Sequence, residues 1–192
     1  MRRLTEQELI QLCKNGDREA FNQLIAQYQK QVFNIAYGML SDYEDALDAS
    51  QEVFVKVYRS IASFKGQSSF STWIYRICAN VCNDSLRKRQ RRGITVSIEN
   101  DDDGDNNISE IPSDTPTPEE NVMMNERQRA VREAINNLSD EYREIIVYSD
   151  INQLSYDEIS KVLKCPVGTI KSRLNRARNA LRKILSEKRE LF

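Results

Sequence analysis

Apolar positions recur at three-and-four spacing along most of this 192-residue chain, the spacing that gathers them on one face of an α-helix. Thr5 with Glu8 forms a capping-box pattern ahead of the short apolar face of Leu9, Leu12 and Cys13. Gly16-Asp17 should stop that helix and cap the next, whose stripe runs Phe21, Leu24, Ile25, Tyr28, Val32, Ile35, Ala36 and Met39. Ser41 with Glu44 reads as another capping box, opening a helix with Ala46, Leu47, Val53, Phe54, Val57, Tyr58 and Ile61 inward. Residues 64–69 break the pattern, and a fourth helix starts from about Ser71 with Ile74, Ile77, Cys78, Val81 and Cys82 on one face. It ends in the basic run at 87–92. Further on, Thr117-Pro118-Glu119-Glu120 places a cap, a first-turn proline and a capping-box acid in order. That helix carries Met124, Val131, Ala134, Ile135 and Leu138, and Ser139 and Ser155 cap two more. No run alternates with period two, so the predicted class is all-α.

Between Gly93 and Asn121 the pattern lapses into an Asp/Asn/Gly run with three of the four prolines. Such a stretch cannot bury enough apolar surface to offset the entropy of ordering it. The expected organisation is two small helical domains, residues 1–92 and 122–192, joined by a flexible acidic linker at 93–121.

Charge sharpens that division. The net charge of −1 hides 14 Lys and Arg against 10 acids in residues 1–92, none against 10 in 93–126, and 14 against 9 in 127–192. Two basic parts on an acidic tether suit two nucleic-acid-binding modules.

The composition excludes other classes. With no histidine anywhere, the commonest general base and the usual partner of an activated nucleophile are missing. Cys13, Cys78, Cys82 and Cys165 lie apart except for the 78/82 pair, which shares a helix face. Core packing explains them better than a metal site, which would want more ligands. No cofactor or metal is expected. No stretch approaches eighteen apolar residues and the N-terminus turns acidic before a signal-peptide core could form, so a cytoplasmic protein without membrane insertion is expected.

Function concentrates near the C-terminus. From Ser155 the chain reads as cap, short helix Tyr156 to Leu163, tight turn Lys164-Cys165-Pro166, then a longer helix from about Val167. Ile170, Leu174, Ala177, Leu181 and Ile184 or Leu185 form the buried stripe of that helix. Lys171, Ser172, Asn175 and Arg176 are left on another side, flanked by Arg173 and Arg178, with no acid between Glu158 and Glu187. Arg or Lys can bridge guanine in the major groove and Asn can pair with adenine, while Thr169 sits where recognition helices present their first residues. A second candidate is the face of Trp73, Arg76, Asn80 and Arg87, where an aromatic ring beside basic and amide groups suits unstacked bases. Packing of Trp73 in the core is an equal reading. Asp45, Asp48, Gln51 and Glu52, followed by Phe54, make an acidic face that is either solvated or a docking surface.

Four segments carry a resemblance. They are Ala20 to Leu24, Asp48 to Phe54, Phe70 to Ile77 with Asn80, and Leu154 through Arg178. In order and spacing the chain resembles the extracytoplasmic-function sigma factors of bacterial RNA polymerase. The resemblance implies a region 2 helical bundle before the linker and a region 4 helix-turn-helix after it. It implies that the face of Asp45, Asp48, Gln51, Glu52 and Phe54 docks on the clamp helices of the core polymerase's largest subunit. Phe64, Lys65, Gly66, Ser69, Phe70, Trp73, Arg76 and Asn80 would then capture and melt the minus-10 element of promoter DNA. Thr169, Lys171, Ser172, Arg173, Asn175, Arg176 and Arg178 would read the minus-35 element. It also implies an anti-sigma partner in the resting cell, and a linker that follows the path toward RNA exit.

Two rivals come from other classes. A free-standing helix-turn-helix regulator would normally dimerise on a palindrome. A nuclease or ligase would need a carboxylate metal site or a phosphate loop, and the dense acids lie at Asp101 to Asp105 in the expected linker.

Overall fold

The computed structural model describes the backbone of residues 4–95 and 118–187 and the side chains of 4–91 and 127–187. Residues 96–117 of the expected linker lie outside the described residues. At its two ends, residues 93–95 and 118–121 are helical. Among the described residues there is no strand, as the absence of period-two alternation predicts.

The first unit contains α1 (Glu6–Lys14), α2 (Arg18–Ala26), α3 (Gln29–Leu40), α4 (Tyr43–Ser60) and α5 (Phe70–Thr95), with a single 3₁₀ turn at Ile61–Ser63. Thr5 caps α1 as expected: its Oγ1 accepts from the Glu8 amide at 3.3 Å while the Glu8 carboxylate accepts from the Thr5 amide at 2.8 Å. Gly16 adopts a left-handed φ of 87° that glycine tolerates, and Asp17 then caps α2 through the amides of Glu19 and Ala20. The stripe expected to form one helix from Phe21 to Met39 is broken into α2 and α3. The break falls at Tyr28, whose hydroxyl donates to Glu6 and whose ring packs edge-on against Phe70 at 5.3 Å. The expected Ser41 and Glu44 box is also replaced. Ser41 ends α3 in a left-handed conformation, and Asp42 caps α4 by accepting from the Asp45 amide at 2.8 Å. Tyr58, expected inward, is 45% exposed and rests its ring edge against Phe21.

The second unit contains α6 (Pro118–Asn136), α7 (Asp140–Ile146), a π-helical segment at Val147–Ile151, α8 (Tyr156–Leu163) and α9 (Val167–Glu187). Ser155 and Glu158 form the second reciprocal capping box. The π-helical segment has no counterpart in the sequence reading; such single-turn bulges often re-aim side chains at functional positions.

The two units share one continuous apolar core. Val147 packs so closely on α3 that a Cβ placed on Gly38 would lie 2.7 Å from one Val147 methyl carbon and 3.0 Å from the other. The adjacent Tyr148 is wholly buried. Around this contact Arg143 acts as a polar hub. Its guanidinium donates to the carbonyls of Ile135, Asn136 and Leu138 in its own unit and to that of Met39 at the end of α3, and it pairs with Asp140. These acceptors are carbonyls left over at helix ends, which need a donor. Arg143→Ala should therefore destabilise the chain by about 3 kcal/mol, the scale of several charge-assisted bonds lost together with their burial. Chemical denaturation of the variant measures this, and a loss within experimental scatter of zero would contradict the hub role.

Candidate nucleic-acid interface

The helix-turn-helix forms for local reasons. Lys164 takes a left-handed φ of 54° after α8, and the Ser160 hydroxyl donates to the Cys165 carbonyl at 2.7 Å to tie the turn. Ile159 and Val162 of α8 and Ile170, Leu174 and Ala177 of α9 are all buried, so the angle between the helices is set by packing.

That burial fixes what α9 presents outward. Lys171, Ser172, Asn175 and Arg176 are exposed and Thr169 is half-exposed, so these five share an accessible face. Each is held or left open differently. The Lys171 ammonium lies 5.9 Å from the Tyr156 ring centroid, Ser172 donates to the Thr169 carbonyl at 3.0 Å, and the Asn175 side-chain oxygen accepts from Asn179 at 3.0 Å. Arg173 turns toward Glu141 of α7 at 4.0 Å and is half-buried, which sets it apart from the face. Arg178 is engaged within the protein. Its Nε and Nη2 donate to the two oxygens of Asp150 at 3.0 and 2.6 Å, and this pairing holds the guanidinium charged beyond the ordinary arginine range. Asp150 and Tyr156 are contributors that sequence reasoning missed, because the π-helical segment that carries Asp150 leaves no signal in the apolar spacing.

The first unit brings its candidates to two grooves. One, of about 750 Å³, lies between α1 and the loop before α5 and includes Phe64, Lys65, Gly66, Ser69 and Phe70. Within it the roles separate. Phe64 and Phe70 are buried and pack on Trp73 at 5.0 and 5.5 Å, so the three rings form a wall. Ser69 Oγ accepts from the Thr72 amide at 3.2 Å and thereby caps α5. Lys65 and Gly66 are exposed at the loop tip, Gly66 at a φ of 69°.

The other groove, of about 570 Å³, is lined by Lys56, Arg59, Ser60, Ile77, Asn80, Asn83, Asp84 and Arg87. Asn80 is exposed there among three cations. Lys56, Arg59 and Asn83 were missed because the groove is assembled from two helices, and no single-helix period links them. Arg76 stands apart from both grooves. Its Nη2 donates to the Lys161 carbonyl of α8 at 2.6 Å, and its Nε is buried without a partner.

On α4, Asp45, Asp48, Gln51 and Glu52 are exposed and Phe54 is half-buried, so the acidic residues form one accessible face. Glu52 is tied to Lys56 at 2.8 Å. All four cysteines are free thiols. Cys78 is buried and donates weakly to the Val32 carbonyl, and its contact with Cys82 together with burial pushes the thiol well above its ordinary pKa. Such a thiol is inert rather than nucleophilic. Among the described residues no three His, Cys, Asp or Glu side chains cluster as metal ligands, and no helix is long and apolar enough to cross a membrane. Asp101 to Asp105 lie outside the described residues.

A helix-turn-helix with a basic outward face, coupled to a second helical unit with its own cationic groove, defines a two-module DNA-binding protein. Comparison with known proteins narrows the class. The family model described as Sigma-70 region 2 matches residues 24–92, and that described as Sigma-70, region 4 matches residues 128–181. The ECF RNA polymerase sigma-E factor of Haemophilus influenzae is 37% identical over 181 residues, covering 93% of this chain and 94% of that protein. The ECF RNA polymerase sigma factor SigW of Bacillus subtilis is 36% identical, covering 93% and 95%. The sigma factor RpoE of Bartonella quintana, solved in complex with the anti-sigma factor NepR, superposes with a TM-score of 0.66 at 26% identity, covering 86% of this chain and 96% of that one. The chain belongs to the extracytoplasmic-function sigma factors, which direct core RNA polymerase to promoters.

Glu144 lies where the two units meet and accepts from Asn83 at 3.4 Å. Burial raises its pKa, opposed by the Asn83 hydrogen bond and the Arg173 charge. A carboxyl whose folded pKa is raised destabilises the fold while ionised, and the penalty is relieved as pH falls through the folded value. Glu144→Gln should therefore raise the thermal midpoint at neutral pH, with the difference from wild type closing as the buffer is acidified. Melting curves across that range test it, and a difference that widens on acidification would refute the assignment.

Proposed function

We propose that the two units divide promoter recognition between them. The first unit holds core polymerase and opens the minus-10 element, and the second reads the minus-35 element in duplex DNA. The observation that carries this reading is the exposed face of Thr169, Lys171, Ser172, Asn175 and Arg176 on a helix whose other side is locked into the core. In the first unit the exposed Lys65, Gly66 and Asn80, with Lys56, Arg59 and Arg87, would meet an unpaired strand, a reading supported by the two grooves they line and by the ring wall of Phe64, Phe70 and Trp73. The acidic face of Asp45, Asp48, Gln51 and Glu52, with Phe54 beside it, docks on the clamp helices of the largest subunit. The domains are 1–92 and 122–192, and the acidic stretch at 93–121 follows the polymerase toward RNA exit. An anti-sigma protein holds the factor in the resting cell, a reading supported by the Bartonella quintana RpoE structure, which is a complex with the anti-sigma factor NepR. The protein works in the cytoplasm and has no catalysis of its own, since the polymerase makes the RNA.

Two weak contacts joined by a linker give strong selection, because the second becomes intramolecular once the first is made. Lys171→Ala and Arg176→Ala should each weaken recognition of the upstream element by about 1 to 3 kcal/mol and leave core binding intact. Asp48→Ala or Phe54→Ala should do the reverse. Binding to labelled core polymerase and initiation from a promoter pool separate the two, and equal loss of both activities in every variant would mean unfolding and sink the division of labour.

A further inference from the structure

We propose that Asn179 and Arg182 are positioning residues that hold the Asn175 carboxamide with its Nδ2 toward the DNA groove, so that Asn175 selects guanine rather than the adenine that a free asparagine would pair with. The proposal deepens the assignment of α9 to duplex DNA given above and rests on it.

A lone asparagine on a recognition helix suits adenine, because its carboxamide can give a hydrogen to N7 and accept one from N6. That pairing needs both arms of the carboxamide free to meet the base. In this chain one arm is taken. Arg182 Nη1 donates to Asn179 Oδ1 at 3.2 Å, and Asn179 Nδ2 donates to Asn175 Oδ1 at 3.0 Å. The spacing of 175, 179 and 182 puts the three on one face of α9, and all are exposed.

The direction of this relay is set by its last member. A guanidinium has hydrogens to give and no acceptor, so Asn179 must turn its oxygen to Arg182 and its Nδ2 to Asn175. Asn175 must then meet that Nδ2 with its own oxygen. Reversing Asn175 alone sets two donors against each other, and reversing both residues sets the Asn179 Nδ2 against the guanidinium. Either way one hydrogen bond is lost. These bonds add little to the stability of an exposed site, where water can replace them. Their effect is to choose the arm that is presented, and it strengthens once DNA covers the face and removes competing water.

The neighbours are matched to that choice. Lys171 and Arg176 are exposed on the same side of α9, and both side chains carry donors without acceptors. The Asn175 Nδ2 joins them as a third source of hydrogens. Ser172 stays free to serve either way, because its hydroxyl can rotate from the Thr169 carbonyl to which it donates at 3.0 Å. In the major groove guanine presents two adjacent acceptors, N7 and O6, which the two hydrogens of one Nδ2 can meet, whereas adenine sets an amino donor beside its N7 and thymine offers O4 alone next to its methyl group. A donor facing the adenine amino group would be left unpaired in a site emptied of water.

Promoter selection tests this with the full chain bound to core polymerase and a pool randomised across the upstream element. The base pair whose preference changes in Asn175→Ala is the one that Asn175 reads. There the wild type should favour G·C over A·T by about three- to tenfold, the scale of one hydrogen bond made or lost. Asn179→Ala and Arg182→Ala should each let A·T recover, while Arg182→Lys should keep the wild-type order, since lysine also only donates. Alanine suits exposed helix positions, and a general loss of binding would lower every base pair alike rather than reorder them. Placing 7-deazaguanine, which lacks the N7 acceptor, at that position should weaken the wild type and leave Asn175→Ala unmoved. A wild-type preference for A·T there overturns the proposal, as does a pool in which no position responds to Asn175→Ala, or an order that neither Asn179→Ala nor Arg182→Ala disturbs. If the wild-type holoenzyme selects no promoter at all, the promoter assignment is at fault, and the duplexes retained by the full chain alone then decide the orientation of Asn175 by the same criteria.

Discussion

The approach of Val147 to the backbone of α3 at Gly38 is the constraint on which the relation between the units depends. Interiors pack too densely to absorb a methyl group at 2.7 Å without movement. Val147 is β-branched and stiff, so it cannot swing aside cheaply. Around this contact Tyr148 is wholly buried, Arg143 lies within 3.3 Å of the Met39 carbonyl, and Arg76 donates to the Lys161 carbonyl of α8. The π-helical segment is the device that aims Val147 and Tyr148 inward while keeping Asp150 outward for Arg178.

Much of this architecture is written in local chemistry and could be read before any coordinates. The capping boxes at Thr5 and Ser155, the Gly16-Asp17 break and the turn at Lys164-Cys165-Pro166 are all short-range signals, and each occurs where expected. The buried stripe of α9 followed from its spacing, and with it the exposed face that Lys171 and Arg176 share. What could not be read is what depends on distant partners. Tyr28 keeps the apolar period of one long helix, yet its bonding to Glu6 and packing on Phe70 break the chain there. Trp73 was open between core and base stacking, and the structure shows it doing neither alone, half-exposed beside two buried phenylalanines. Arg76 and Arg178 carry the right charge for DNA, but their partners, the Lys161 carbonyl and Asp150, lie far away in sequence.

Charge alone would overcount the recognition surface. Of the four arginines and lysines from 171 to 178, Arg173 leans on Glu141 and Arg178 is clasped by Asp150, leaving Lys171 and Arg176 as the exposed cations without an acidic partner. The clasped pair still matters, because a bidentate guanidinium and carboxylate fix geometry even where partial exposure makes the net energy small. Asp150 therefore trades one positive charge for a defined orientation of α9 relative to the π-helical segment.

That trade bears on specificity. Phosphate attraction is indifferent to sequence and grows with every free cation, whereas base contacts add discrimination only if the helix enters the groove at one angle. Pairing Arg178 with Asp150 lowers the first term. Bracing α9 through Asp150 on one side and the buried Ile170, Leu174 and Ala177 on the other serves the second. Arg76 is likewise engaged within the chain, its guanidinium donating to the Lys161 carbonyl of α8. In both places an arginine that charge alone would count toward a nucleic-acid surface is instead satisfied by acceptors of the chain itself.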